Sequence, residues 1–225
     1  MVIDEEIDSI LEEARGVIGE LEKRIENAWC ELRKEQVYML WWNEQELILP
    51  FYLHLQPMIG DLNKSLEKIR VHIVPEYSPK ASSYAGDFKE KYGKYPPLNN
   101  GEKEFSRTKH VDLCIAAFDS DDFEAKMKEP GMTYWYIKHV PLVLLEFKVN
   151  AREYLLGRRL MEKDLEKCAE TRRKYYGVEK TYFCYLTDNK LSEEECRKMK
   201  EKAKIANLTF CYGTWRGEDW GTCDT

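Results

Sequence analysis

Glu146 and Lys148 stand one Phe apart at the end of a long apolar run, Val140-Pro141-Leu142-Val143-Leu144-Leu145-Glu146-Phe147-Lys148-Val149-Asn150. A continuous run of this kind fills a strand buried on both faces. Strand side chains alternate, so Glu146 and Lys148 point one way while Leu145, Phe147 and Val149 point the other. A carboxylate and an ammonium at the end of a core strand are costly to desolvate unless each is paired or used. One reading is a buried structural ion pair. The other is a reaction that needs a hard oxygen ligand with a cation beside it. Upstream, Asp112 lies near the start of a second apolar strand, His110-Val111-Asp112-Leu113-Cys114-Ile115-Ala116-Ala117-Phe118, and supplies another carboxylate. Two carboxylates on neighbouring strands can bracket Mg²⁺ (or Mn²⁺), a cation that keeps several waters and asks few ligands of the protein. Such a metal serves phosphodiester hydrolysis by neutralising developing charge and lowering the pKa of the attacking water. Lys148, on the same face, can orient or help deprotonate that water and stabilise the transition state.

The elements that position these residues follow from periodicity. Residues 4–42 read as helix, with Ile7, Ile10, Leu11, Ala14, Leu21, Ile25, Trp29 and Leu32 at three- and four-residue steps and Gly16 and Gly19 as weak points. This N-terminal helical extension, 1–42, either packs on its own domain or serves a partner, homodimerisation included. A fresh helix starts at Asn43, with Glu46 completing a capping box. Its apolar stripe of Leu47, Ile48, Phe51, Tyr52 and Leu55 also contains Glu44, and Pro50 is expected to kink or interrupt it. Residues 69–77 alternate like a strand that Pro75 brings to an end. Residues 78–108 form a long loop in which Lys and Arg interleave with Tyr84, Phe88, Tyr92 and Tyr95, a composition that suits a nucleic acid strand or plain solvation. The acids of 119–129 match no calcium loop and read as a solvated hairpin tip. Residues 152–175 form a helix that buries Leu155, Leu156, Leu160, Leu165, Cys168 and Ala169 and carries eight Lys/Arg against five acids. Gly177 ends it. A strand over 181–186, a helix capped by Ser192 and Glu195, and a last strand over 208–212 complete the chain.

An Asp early in one strand, then Glu146-Phe147-Lys148 at the end of the next, resembles the PD-(D/E)XK nuclease superfamily. A Glu on the preceding helix and a basic helix directly after fit the same pattern, over roughly residues 43–212. The resemblance implies an α/β class. Within it, a restriction endonuclease-like α/β/α core has a mixed four- to five-stranded sheet flanked by helices, here the domain 43–225. It implies a metal-dependent nuclease, cutting DNA in preference to RNA, with Asp112, Glu146 and Lys148 in the site and Mg²⁺ or Mn²⁺ as cofactor. In the family a helix glutamate joins the metal shell, a place that matches Glu44, with Glu46 as alternate; Glu76, at the end of the first strand near the same edge, is a further candidate. Arg158, Arg159 and Lys163 on the basic helix are the expected nucleic acid contacts. The family's Pro before the Asp is Val111 here. A non-catalytic nucleic-acid-binding or interaction protein on the same fold is the second reading.

Composition sets the outer bounds. The 225 residues, 34% charged and 12% aromatic, with a net charge of −6, describe a folded domain whose nucleic acid contacts must be local. No apolar run is long enough to span a bilayer, and the acidic start does not read as a secretory signal. Seven scattered cysteines without C-x-x-C pairs read as reduced thiols in a cytoplasmic protein. A cysteine nucleophile is the weakest option, since none of the four histidines is placed beside a Cys.

Overall fold

Five apolar strands form one sheet in the order β1-β2-β3-β4-β5: β1 (Ile69–Tyr77), β2 (Val111–Asp119), β3 (His139–Asn150), β4 (Lys180–Thr187) and β5 (Thr209–Thr214). The structure is a computed structural model describing residues 2–35, 44–77, 111–130, 137, 139–150, 163–169, 172, 177–187 and 191–214. The first three strands meander antiparallel, and β3–β4 and β4–β5 pair parallel. Parallel neighbours need a crossover connection. The segment between β3 and β4 contains helix α5 (163–169), and the one between β4 and β5 contains α6 (Glu193–Ile205). The other helices are α1 (Val2–Arg15), α2 (Ile18–Glu35), α3 (Glu44–Asn63) and α4 (Ser120–Lys126). The mixed α/β class and the adjacency of β2 and β3 agree with the sequence reading.

Helices cover both faces of the sheet. Ile7, Leu21, Trp29, Leu47, Phe51 and Leu55 of α1–α3 merge with Val71, Ile115, Leu145 and Phe147 into one core. Across the sheet, Leu165 and Cys168 of α5 and Met199 and Ala203 of α6 pack with Phe183, Tyr185, Phe210 and Tyr212. The apolar stripe of the N-terminal helices is therefore spent within the chain. No described helix is long and apolar enough to cross a membrane.

Pro141 falls inside β3, where it has no N–H to give the ladder. The register accommodates it: Ile115 pairs with Val143 but Ala116 pairs with Pro141, leaving Leu142 as the extra residue of a bulge. The bulge shifts the alternation by one. Val140 and Leu142 before it, then Val143, Leu145 and Phe147 after it, share the core under α1–α3. Leu144 faces the other way, and the same parity carries Glu146 and Lys148 toward α5.

Three local expectations change. The helix α3 runs unbroken through Pro50 and Pro57, because burial of Leu47, Phe51, Leu55, Ile59 and Leu62 outweighs the lost backbone hydrogen bonds. The acidic segment begins with the short helix α4 instead of forming a hairpin tip. The Asp119 side chain caps it by accepting from the Asp122 N–H at 2.9 Å, and Asp121 and Asp122 complement the first-turn dipole. Cys211 is disulfide-bonded, contrary to the all-reduced reading of the cysteines.

Candidate active site

β2 and β3 pair Leu113 with Leu145, so the next position along the ladder sets Asp112 level with Glu146. Directly opposed residues on an antiparallel pair share a face. Asp112 is anchored further, its Oδ2 accepting from the Phe147 backbone N–H at 2.7 Å. That bond joins the second strand's acid to the backbone between Glu146 and Lys148. The opposite face of β3 is fixed by aromatic packing, the Phe147 ring lying 5.0 Å from Phe51 and 6.5 Å from Trp29. The site thus rests on a stiff strand.

Glu146 is buried, with 5% of its surface exposed. Its Oε1 accepts from Lys167 Nζ of α5 at 2.6 Å, and its buried Oε2 has no hydrogen-bond partner. Burial first, then the Asp112 carboxylate, pushes Glu146 up to about 8, with a smaller push from Asp164. Lys167 opposes these through its charge and its hydrogen bond. Lys148 Nζ lies 3.1 Å from Asp164 Oδ2, also on α5. Residues three apart on a helix are neighbours on one face. Asp164 and Lys167 therefore meet the strand's Lys148 and Glu146 as a reversed charge pair.

Asp164 and Lys167 escaped the sequence reading, which counted them only toward the net charge of a basic helix. A signal was present. A Glu-x-Lys strand followed by an Asp-x-x-Lys helix matches opposite charges at compatible spacings. Arg172 also departs from the basic-face expectation, since it donates to the backbone carbonyls of Asn207 and Glu179, the latter at 2.9 Å. Lys163 is exposed on α5. Arg158, Arg159 and the loop 78–108 lie outside the described residues.

Of the glutamates expected to complete a metal shell, Glu44 is the first residue of α3, and its side chain lies outside the described residues. α3 packs through Phe51 on the Phe147 side of the sheet, opposite the side that Glu146 faces. Glu46 is exposed on the same helix. Glu76 falls between the pairs Pro75–Leu113 and Tyr77–Val111, a register position level with Asp112 on β1; its side chain too lies outside the described residues. Among the described residues no three His, Cys, Asp or Glu side chains gather as a metal-holding group. Asp112 and Glu146 still fit a hard divalent cation. Both are oxygen donors, and the buried, unpartnered Oε2 of Glu146 is an acceptor in want of a cation. The three buried thiols, Cys114, Cys168 and Cys184, are pushed up by burial and kept protonated, so they are poor nucleophiles.

No family model, curated protein or solved structure matches this chain. The functional reading therefore stands on the sheet register and on the side chains gathered at Glu146.

Proposed function

We propose that the protein is a metal-dependent nuclease of the PD-(D/E)XK type, on a restriction endonuclease-like core, hydrolysing phosphodiester bonds in DNA in preference to RNA. The observation that carries this reading is the buried Glu146 carboxylate, one oxygen unpartnered, level with Asp112 and two residues from Lys148 on the same face. A carboxylate placed so is costly unless a cation completes it. The element order supports the same assignment: an antiparallel meander carrying the acids, then a parallel strand reached through a helix.

In this mechanism Asp112 and Glu146 would hold Mg²⁺ or Mn²⁺, with Glu76, at the register position level with Asp112, better placed for a further carboxylate than Glu44 or Glu46 on α3. When bound, the metal supplies charge neutralisation at the phosphate and acidifies water. The Phe147 N–H holds Asp112 in place through Oδ2. Lys148 lies on the face of β3 that carries Glu146, within reach of the water or the scissile phosphate once its ammonium leaves Asp164. Exposed Lys163, with Arg158 and Arg159, supplies phosphate contacts.

The alternative is a non-catalytic nucleic-acid-binding or interaction protein on this core. The two ion pairs that close α5 over Glu146 and Lys148 give it weight, because each charge there meets an opposite one without a metal, although Glu146 Oε2 stays without a hydrogen bond. Calorimetric titration of Mn²⁺ into the wild type and into Glu146→Gln, beside a cleavage assay on DNA and RNA, decides between the two. A nuclease binds metal, cleaves only with it, and loses both properties in the variant. Absence of metal binding in the wild type, or undiminished cleavage by Glu146→Gln, removes the nuclease reading.

A further inference from the structure

β3 and α5 carry the same charge order along the chain but pair crosswise, first with last. Along the strand the sequence is acid then base, Glu146 and Lys148; along the helix it is again acid then base, Asp164 and Lys167. The pairs that form are Glu146 with Lys167 at 2.6 Å and Lys148 with Asp164 at 3.1 Å. All four are sheltered: the side-chain exposures are 6% for Glu146, 13% for Lys167, 22% for Lys148 and 15% for Asp164. Ion pairs this far from solvent restrain their partners much more than surface pairs do. Yet the ladder leaves Glu146 incomplete. Lys167 donates to Oε1, Oε2 has no hydrogen-bond partner, and the acids of Asp112 and Asp164 act on the same carboxylate.

Lys167 therefore puts a single positive charge on the carboxylate that the nuclease reading assigns to a divalent cation. An ammonium and a divalent ion on one carboxylate repel each other at short range in a weakly screened site. A lysine stem has four rotatable carbons and can turn its ammonium elsewhere, which a rigid structural donor cannot do.

Resting on the nuclease reading, we propose that Lys167 is an internal counter-ion of Glu146. It occupies the carboxylate in the metal-free protein, is displaced when the divalent cation loads, and then delivers its ammonium to a phosphate oxygen of the nucleic acid. Displacement is a reciprocal coupling: if the metal weakens the Lys167 contact, Lys167 weakens the metal by the same factor. No bond is made or broken in the exchange. A purely structural Lys167 has the opposite signature, since removing it would loosen Glu146 and weaken the metal.

The sign of the effect on metal affinity is the test. Mn²⁺ alone is titrated by calorimetry into the full chain, as wild type, Lys167→Gln and Lys167→Arg, with circular dichroism confirming the fold of each. Glutamine is one atom shorter and keeps a donor but not the charge, so Lys167→Gln should bind Mn²⁺ roughly tenfold more tightly than the wild type. Its affinity for a DNA duplex, measured by fluorescence anisotropy with Ca²⁺ in place of Mg²⁺, should fall several-fold. Arginine keeps the charge and grips a carboxylate with a two-pronged fork, so Lys167→Arg should bind Mn²⁺ no more tightly than the wild type. This arm carries the test if the glutamine variant does not fold. Unchanged or weaker Mn²⁺ binding by folded Lys167→Gln overturns the proposal while leaving the nuclease reading in place, and so does tighter binding by Lys167→Arg. A wild type that binds no Mn²⁺ overturns both.

Discussion

Two buried groups, Glu146 and His139, are set against their ordinary protonation behaviour, and stability should vary with pH because of both. Glu146 is pushed up to about 8, chiefly by burial and then by Asp112. Its folded form holds the proton more tightly than the unfolded chain does. Its contribution is complete below the ordinary carboxylate range and is lost as pH rises through about 8. His139 is fully buried, donates its Nδ1–H to the Ile137 carbonyl at 2.8 Å, and is pulled down to about 4 by burial. Its contribution is complete above the ordinary imidazole value and is lost as pH falls toward 4, amounting to roughly 3 kcal/mol. Between about pH 4.5 and 6.5 the two contributions change in opposite directions and largely cancel, so urea midpoints of the metal-free protein should decline chiefly from about pH 6.5 to 8. Glu146→Gln should abolish this alkaline decline and uncover a loss of stability below about pH 6.5, whereas His139→Gln should extend the decline down to about pH 4.5. Retention of the alkaline decline in Glu146→Gln would show that Glu146 is not the group responsible. Kinetics separate the site residues in turn. On the proposed nuclease reading, Lys148→Ala should lower turnover by a factor of roughly 10²–10³ while metal affinity stays near wild type, because that reading assigns Lys148 to charge developing in the transition state. Equal loss of metal binding in Lys148→Ala and Asp112→Ala would contradict that division of roles.

Elements enter the site through how they begin and end. Gly177 has φ of +86°, and a Cβ built there would overlap Val140 Cγ1 at the start of β3. Two residues later the Glu179 N–H donates to the Leu142 carbonyl at 2.9 Å, at the bulged residue of β3. Gly177→Ala combines a left-handed backbone cost with a core clash, and should destabilise by roughly 2–4 kcal/mol. A thermal melt unchanged from wild type would mean that this segment adapts freely. The helix end expected at Gly177 falls beside residues 173–176, outside the described ones, but the strands were legible to within a residue or two of their ends, because alternation is a local signal. The bulge at Leu142 was not, since periodicity alone cannot say where a strand gains an extra residue. Nor was the continuity of α3, where long-range burial against β3 overrides the local effect of Pro50 and Pro57. The E-x-K pairing to α5 lay hidden for the same reason. Asp164 and Lys167 acquire their meaning only once the crossover brings that helix over Glu146.

At the scale of the whole molecule, a chain with a net charge of −6 can hold nucleic acid only where positive charge is locally concentrated. The sequence showed a basic excess around residues 152–175, but a count of charges cannot tell a cation facing solvent from one already engaged. Lys167 is paired with Glu146 and Arg172 with backbone carbonyls, whereas Lys163 is exposed. Phosphate contact is thus expected from Lys163 together with Arg158 and Arg159. Lys167 should join it only after the metal has loaded. Each phosphate contact releases counterions, so the logarithm of the binding constant falls linearly with the logarithm of salt, by about 0.9 per contact on duplex DNA. Replacing Arg158, Arg159 and Lys163 by Glu should weaken duplex binding and lower this slope by about 2 to 3. Anisotropy over a salt series, with Ca²⁺ present to fill the site without turnover, measures both quantities. Mn²⁺ affinity should stay close to wild type in this triple variant, because none of the three is assigned to the metal. An unchanged affinity and salt slope would move the nucleic acid surface off this segment and make the basic, aromatic stretch 78–108 the next candidate to test. Loss of metal binding together with DNA binding would instead show that the segment before α5 supports the carboxylates themselves.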